Sequence, residues 1–181
     1  MAYYLDRNLV EGAIASRADI EERMEGKIGR GNPFLRLCEI AMLDKSGRPR
    51  QLFHSDEDII VSITFECLQP VQDVFITLDI VDEDAVPVLR SHNLDDPLAA
   101  PGFHRLGKGV FNAGCILPAN IFGGKRFFLT VHLVYPKTEH VFVNKILEFE
   151  VIFRGYNDAH SDVGDAFFRP QLNWSIQLKN G

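Results

Sequence analysis

RFFLTVHLVY, residues 126–135, decides the fold. Read with a period of two, it sends Phe127, Leu129, Val131, Leu133 and Tyr135 to one side, and Phe128, Thr130, His132 and Val134 to the other. Successive side chains of a strand point to opposite faces, so one wholly apolar row predicts a strand with one face on a core. DVFITLDIVD (73–82) repeats the pattern, with Val74, Ile76, Leu78 and Ile80 inward and Phe75, Thr77 and Asp79 outward. In IIVSITFECL (59–68) Val61, Ile63, Phe65 and Cys67 turn inward, leaving Ser62, Thr64 and Glu66 outside.

Similar runs lie on both sides: LRLCEIAMLD (35–44), PVLRSHN (87–93), KGVFNAGCIL (108–117), a long run over 141–153 and LNWSIQL (172–178). Turn formers such as Lys45-Ser46-Gly47, Gln69-Pro70 and Glu83-Asp84 punctuate them. Eight strands at this spacing, with no helical pattern between them, predict an all-β antiparallel β-sandwich of immunoglobulin-like or jelly-roll type. Only 118–122, just before Gly123-Gly124, has the makings of a helical turn.

Residues 1–26 are different. Leu5, Leu9, Val10, Ala13, Ile14 and Ile20 recur at near-helical spacing, and Asp19-Ile20-Glu21-Glu22 reads as a helix start with its acids in the first turn. Gly26, Gly29, Gly31, Asn32 and Pro33 then break the helix. The expected organisation is a short N-terminal helical lead-in or linker over 1–33, hinged to a sandwich over 34–181.

Composition narrows the function classes. With 181 residues, 46% hydrophobic and 24% charged, the chain suits one domain able to bury a core without staples. A net charge of −6 with no basic block argues against nucleic acid and against a polybasic membrane anchor. An uncharged polymer such as sugar meets no electrostatic penalty. Cys38, Cys67 and Cys115 are odd in number and sit in apolar runs, as small hydrophobes would in a reducing compartment. The start lacks a basic segment followed by an apolar stretch, and no apolar run approaches a membrane span; a cytoplasmic location is expected.

Sites of chemistry are scarce. There is no GxxxxGK[ST] loop, GxSxG elbow, CxxC pair or HExxH motif. His54 with Asp56 and Asp58, and His160 with Asp162 and Asp165, sit in loop-like stretches where such residues serve as turn formers, so no metal and no cofactor is expected. Glu66, Asp79, Glu148 and Glu150 supply carboxylates for glycoside hydrolysis on paper, yet the last two alternate with apolar residues as a solvated strand face does. His132 has no Ser or Cys nucleophile visibly paired to it. The expectation is a protein without catalytic residues.

The outward rows of 73–82 and 126–135 mix rings with short polar groups. Sugars offer C–H faces that stack on rings and hydroxyls that need hydrogen-bonding partners. Phe75, Phe128 and Trp174, the only tryptophan, are the candidate stacking residues; Thr77, Asp79, Thr130 and His132 are the candidates for hydroxyls. For Trp174, packing in the core or at an edge is an equal alternative. The face with Ser62, Thr64 and Glu66 is equally polar, and the choice of face stays open. A domain that docks another protein through Phe75 and Phe128 is the main rival, a hydrolase on the same scaffold the second.

Three stretches also carry a family resemblance. IAMLDKSG (40–47) followed by the 59–67 strand, GKGVFNAGCILPANIFGGKRFFLTVHL (107–133), and the ending Val163 to Trp174 with its Arg169-Pro170-Gln171-Leu172-Asn173-Trp174 resemble, in order, the C-terminal domain of Wzt. Wzt is the ATPase subunit of ABC transporters that export O-antigen polysaccharide. The likeness spans about 34–178; it departs where Pro118 follows Leu117 instead of Ile, and where Phe127 replaces a frequent Tyr. The resemblance implies non-catalytic recognition of O-antigen polysaccharide that gives the exporter its substrate specificity. It also implies a preceding nucleotide-binding domain joined through 1–33, and a transporter membrane subunit as partner at the inner membrane. Finally it implies a homodimer that exchanges its last strand, for which Gly155 to Asp165 would serve as the hinge.

Overall fold

A computed structural model describes residues 12–24, 32–135, 140–154, 166–170, 172 and 174–176. Two sheets form the layers. One orders β1 (Ile14–Ser16), β2 (Leu35–Leu43), β4 (Ile59–Cys67) and β9 (Gly109–Leu117). The other orders β3 (Leu52–His54), β11 (His140–Ile152), β10 (Arg126–Val134), β6 (Phe75–Val81) and β7 (Pro87–His92). All pairings are antiparallel except β3 with β11, and a small ribbon joins β5 (Val71–Gln72) to β8 (Arg105–Leu106).

The fold is the expected all-β sandwich, and the inward rows are as read from the sequence. Val61, Ile63, Phe65 and Cys67 of β4 meet Ile76, Leu78 and Ile80 of β6 and Phe127, Leu129, Val131 and Leu133 of β10 in one buried cluster. Phe53, Phe122, Phe127 and Phe149 stack at one end, with ring centroids 5.0–6.5 Å apart. Burial drives the Cys67 thiol up to about 11, so it is protonated and inert, packing as an apolar side chain.

Four details differ from the sequence reading. Ile14–Ser16 forms β1, paired to Glu39–Ala41, where a helix was expected: the open edge of β2 offers the backbone hydrogen bonds that an isolated helical turn lacks. The helix α1 (Arg17–Met24) follows, capped by Ser16 and Asp19, which exchange hydrogen bonds. It packs on β2 and β11 with Ile20 buried. The glycine hinge over 25–31 lies outside the described residues, but beyond it the Asn32 amide ties the chain entry to the far sheet, donating to Tyr135 O at 2.6 Å and accepting from Phe34 and Leu35 N–H.

Second, 118–122 forms no helical turn; Phe122 pairs instead with Phe168. Third, β3 and the two-residue strands β5 and β8 were not foreseen, because two or three residues give too short a pattern, nor were the 3-10 turns at Asn93–Asp95 and Ala100–Phe103. Fourth, Leu172 and Trp174 to Ile176, expected within a last strand, lie outside any strand.

The segment 166–170 docks on the body. Gly123 N–H donates to Phe167 O, Arg169 N–H donates to Ile121 O, and the Arg169 guanidinium lies 3.6 Å from the Phe153 ring centre. Gly123 permits this approach: a Cβ there would meet Ala166 O at 1.9 Å. Gly123→Ala is therefore expected to release the segment while the sheets stay intact. Losing about 1.4 kcal/mol of docking raises the open population about tenfold. Chymotryptic cleavage after Phe167 and Phe168 should accelerate by about that factor.

Candidate functional site: an outward sheet face

Because β6 lies between β7 and β10, the outward rows of these strands form one surface. Thr77 is opposite His92 on one side and His132 on the other, Asp79 is opposite Arg90 and Thr130, and Phe75 is opposite Val134. Six of the seven sequence candidates thus share a face. Phe128 points away from the apolar cluster between the sheets, as the alternation required. Trp174 is not brought into this sheet: it is 92% exposed and outside any strand.

Sharing a face does not make the six equally available. Asp79 is only 6% exposed and both its oxygens are occupied. Oδ1 accepts from Arg90 Nε at 2.6 Å; Oδ2 accepts from Arg90 Nη2 at 2.7 Å and lies 3.1 Å from His132 Nε2. The bidentate Arg90 bond, opposed by burial and aided by the nearby positive charge, holds the Asp79 carboxyl below its ordinary 3.8. Sequence assigned Asp79 to sugar hydroxyls; geometry makes it the anchor of Arg90.

A bulge in β11 covers two more candidates. Leu129 is opposite Leu147 but Val131 is opposite Val143, so β11 carries two extra residues around Lys145, whose φ is +46°. The bulge folds Asn144 and Lys145 over β10. Thr130 Oγ1 donates to Asn144 Oδ1 at 3.1 Å and accepts from Lys145 N–H at 2.9 Å. Lys145 Nζ sits 4.7 Å from the Phe128 ring centre and donates to Glu83 O. Phe128 and Thr130 are buried in consequence.

What faces solvent is a shifted set. Phe75, Thr77 and His132 remain partly exposed, and Arg90, His92 and Phe142 join them. The Phe75 and His92 rings lie 5.5 Å apart, and His132 and Phe142 4.5 Å apart. Sequence recognised 87–93 and 141–153 as strands but took no site residues from them. The signal was there in Arg90 and His92, two apart on a strand bordering the chosen row. At the β7 edge the face meets a cleft of about 350 Å³ between the sheets, floored by Ile63, Ile76 and Leu78 and holding Cys115, whose thiol is raised by burial.

The rival face has no ring on β4: Asn112 Nδ2 donates to Ser62 Oγ and Thr64 Oγ1, and Arg36 pairs with Glu66. Of the first histidine–aspartate set, His54 Nε2 lies 3.0 Å from Arg154 Nη2 and Asp58 Oδ1 accepts from Ala119 N–H at 2.8 Å; the second set lies outside the described residues. Among the described residues no helix is long and apolar enough to cross a membrane.

No family model and no curated protein matches this chain. Among solved structures, the crystal structure of the C-terminal domain of Wzt is similar, with a TM-score of 0.61 at 9% identity, covering 85% of this chain and 90% of that one. At such identity the likeness speaks to architecture, and it agrees with the resemblance in sequence: the fold of this chain is that of the Wzt C-terminal domain.

Proposed function

We propose that the chain is a non-catalytic recognition domain for O-antigen polysaccharide within an ABC exporter, acting through the outward face of β6, β7 and β10. The observation that carries this reading is the adjacency of β6 and β10, which puts Phe75, Thr77 and His132 side by side and outward on a Wzt-like sandwich. Rings stack on sugar C–H faces while the hydroxyl, imidazole and guanidinium exchange hydrogen bonds with sugar hydroxyls. On this reading a nucleotide-binding domain precedes β1, which with α1 belongs to the sandwich, and the transporter membrane subunit is the partner at the inner membrane. Affinity electrophoresis against the O-polysaccharide of the encoding organism tests it. The Phe75→Ala/His132→Ala double variant should bind about tenfold more weakly, two modest contacts together reaching 1.4 kcal/mol, whereas Ser62→Ala/Thr64→Ala should bind normally. Equal affinity for both variants contradicts the reading.

The same reading includes a homodimer that exchanges its C-terminal strand. Leu172, Trp174 and Ile176, at alternate positions, are 63%, 92% and 98% exposed, the pattern of a strand face with no sheet beneath it. The proposed hinge, 155–165, lies outside the described residues. Light scattering after size exclusion at tens of micromolar should give a dimer, and a chain ending at Pro170 a monomer. A monomer for the full chain contradicts the exchange.

A further inference from the structure

Among the outward side chains of this face, one is held in an unusual way. Asp79 fixes Arg90 through Nε–H and one Nη2–H, the side-on pair of a guanidinium. A guanidinium carries five donors in a rigid plane, and its second parallel pair, formed by Nη1–H and the other Nη2–H, points away from the first. Among the described residues nothing bonds to that end-on pair, and the Arg90 side chain is 67% exposed. Such a fork matches two oxygens of a carboxylate or phosphate, and its orientation is set before any ligand arrives.

The surroundings add donors, and the acids next to them are engaged with backbone: Asp95 Oδ2 accepts from His92 N–H at 3.0 Å and Asp96 Oδ1 from Leu98 N–H at 2.8 Å. His92 Nδ1 accepts from Leu94 N–H at 3.1 Å, which leaves Nε2 of the neutral ring as the N–H. Thr77 stands opposite His92. The strands β6, β7 and β10 hold a single acidic residue, Asp79, and its oxygens are consumed. Of the two acids on β11, Glu148 is paired with Arg126 at 3.0 Å and Glu150 stands opposite Arg126 in the register. The net charge of −6 predicts an uncharged polymer for the chain as a whole; the local donors predict otherwise. A chain that repels polyanions in general and offers one preformed fork is suited to choose an acid presented in a defined position.

We infer that this face recognises an oxyanion-bearing sugar, whose carboxylate or phosphate seats on the open end of Arg90 while its ring lies against Phe75. The inference rests on the reading that the face docks glycan. Arg90 is the contacting residue, and Asp79 is a positioning residue that aims it.

The test is ¹⁵N NMR of the whole chain, following the Arg90 side-chain N–H and the backbone of β6, β7 and β10, in titrations with D-glucuronate, its methyl ester, D-glucose 6-phosphate and D-glucose. Glucuronate or the phosphate should saturate at a concentration about tenfold below ester and glucose, with the Arg90 N–H signal shifting. Whichever acid is tighter identifies the group. Arg90→Lys, which keeps the charge and loses the fork, should abolish that preference. Equal binding of acids, ester and glucose at the face overturns the anion assignment and leaves glycan docking standing. A preference that survives Arg90→Lys overturns the fork. No shift on the face with any of the four compounds overturns both.

Discussion

Phe149→Ala should destabilise the domain by about 3–5 kcal/mol, the range for removing a fully buried aromatic ring. Phe149 is 0% exposed and stacks on Phe127 at 5.5 Å, with Phe53 and Phe122 edge-on at 6.5 and 6.1 Å. All three neighbours are buried. They come from β3, β10 and the turn after β9, so the cavity could close only by moving three separate elements. Ring pairs add about 0.5–1.5 kcal/mol beyond area, and several are lost at once. Urea unfolding should show a lower midpoint at unchanged slope. A loss under about 1 kcal/mol would mean that this end of the sandwich is loosely packed.

The second large effect concerns Arg90, and its sign runs against exposure. Substituting an exposed side chain usually changes stability little. Here Arg90→Ala strands the Asp79 carboxylate, 6% exposed, with only His132 beside it. An under-satisfied buried carboxylate costs about 1–3 kcal/mol. Asp79→Asn, which removes the buried charge and leaves Arg90 in water, should cost less. The two variants should therefore rank opposite to the exposure of the residues they change.

The pH dependence follows from the direction of the shift. Asp79 titrates below 3.8 when folded, so its contribution is complete above the ordinary aspartate value and is lost as pH falls through the folded value. The gap between wild type and Arg90→Ala should be full at pH 7, narrow below about pH 4 and close in stronger acid. A gap independent of pH would place the effect in packing, away from the ion pair.

The same residues show how far sequence reading reaches. A period of two is a local property, so the inward rows of β4, β6 and β10 could be assigned from each strand alone, and burial agrees with them. The side of the sheet on which Phe75, Thr77 and His132 stand followed from the same rule. Neighbour relations are not local. Nothing within 73–82 says that Arg90 lies opposite Asp79, so a carboxylate read as open to sugar is in fact closed by an ion pair.

The β11 bulge is a middle case. Asn144-Lys145 interrupts an otherwise alternating apolar run, and Ile146 and Leu147 are buried in succession, a break of period visible in the string itself. That this break would cover Phe128 and Thr130 depends on the pairing with β10. At the C-terminus the alternation of Leu172, Trp174 and Ile176 was legible as strand-forming, yet among the described residues they are exposed and pair with no strand.

On the proposed function, glycan meets the face of β6, β7 and β10 and leaves the opposite sheet alone. Backbone ¹⁵N NMR with fragments of the O-polysaccharide tests it most directly. Saturable shifts are expected at Phe75, Thr77, Arg90, His132 and Phe142, with Ser62, Thr64 and Asn112 unmoved. Shifts confined to Ser62, Thr64 and Asn112 would contradict it.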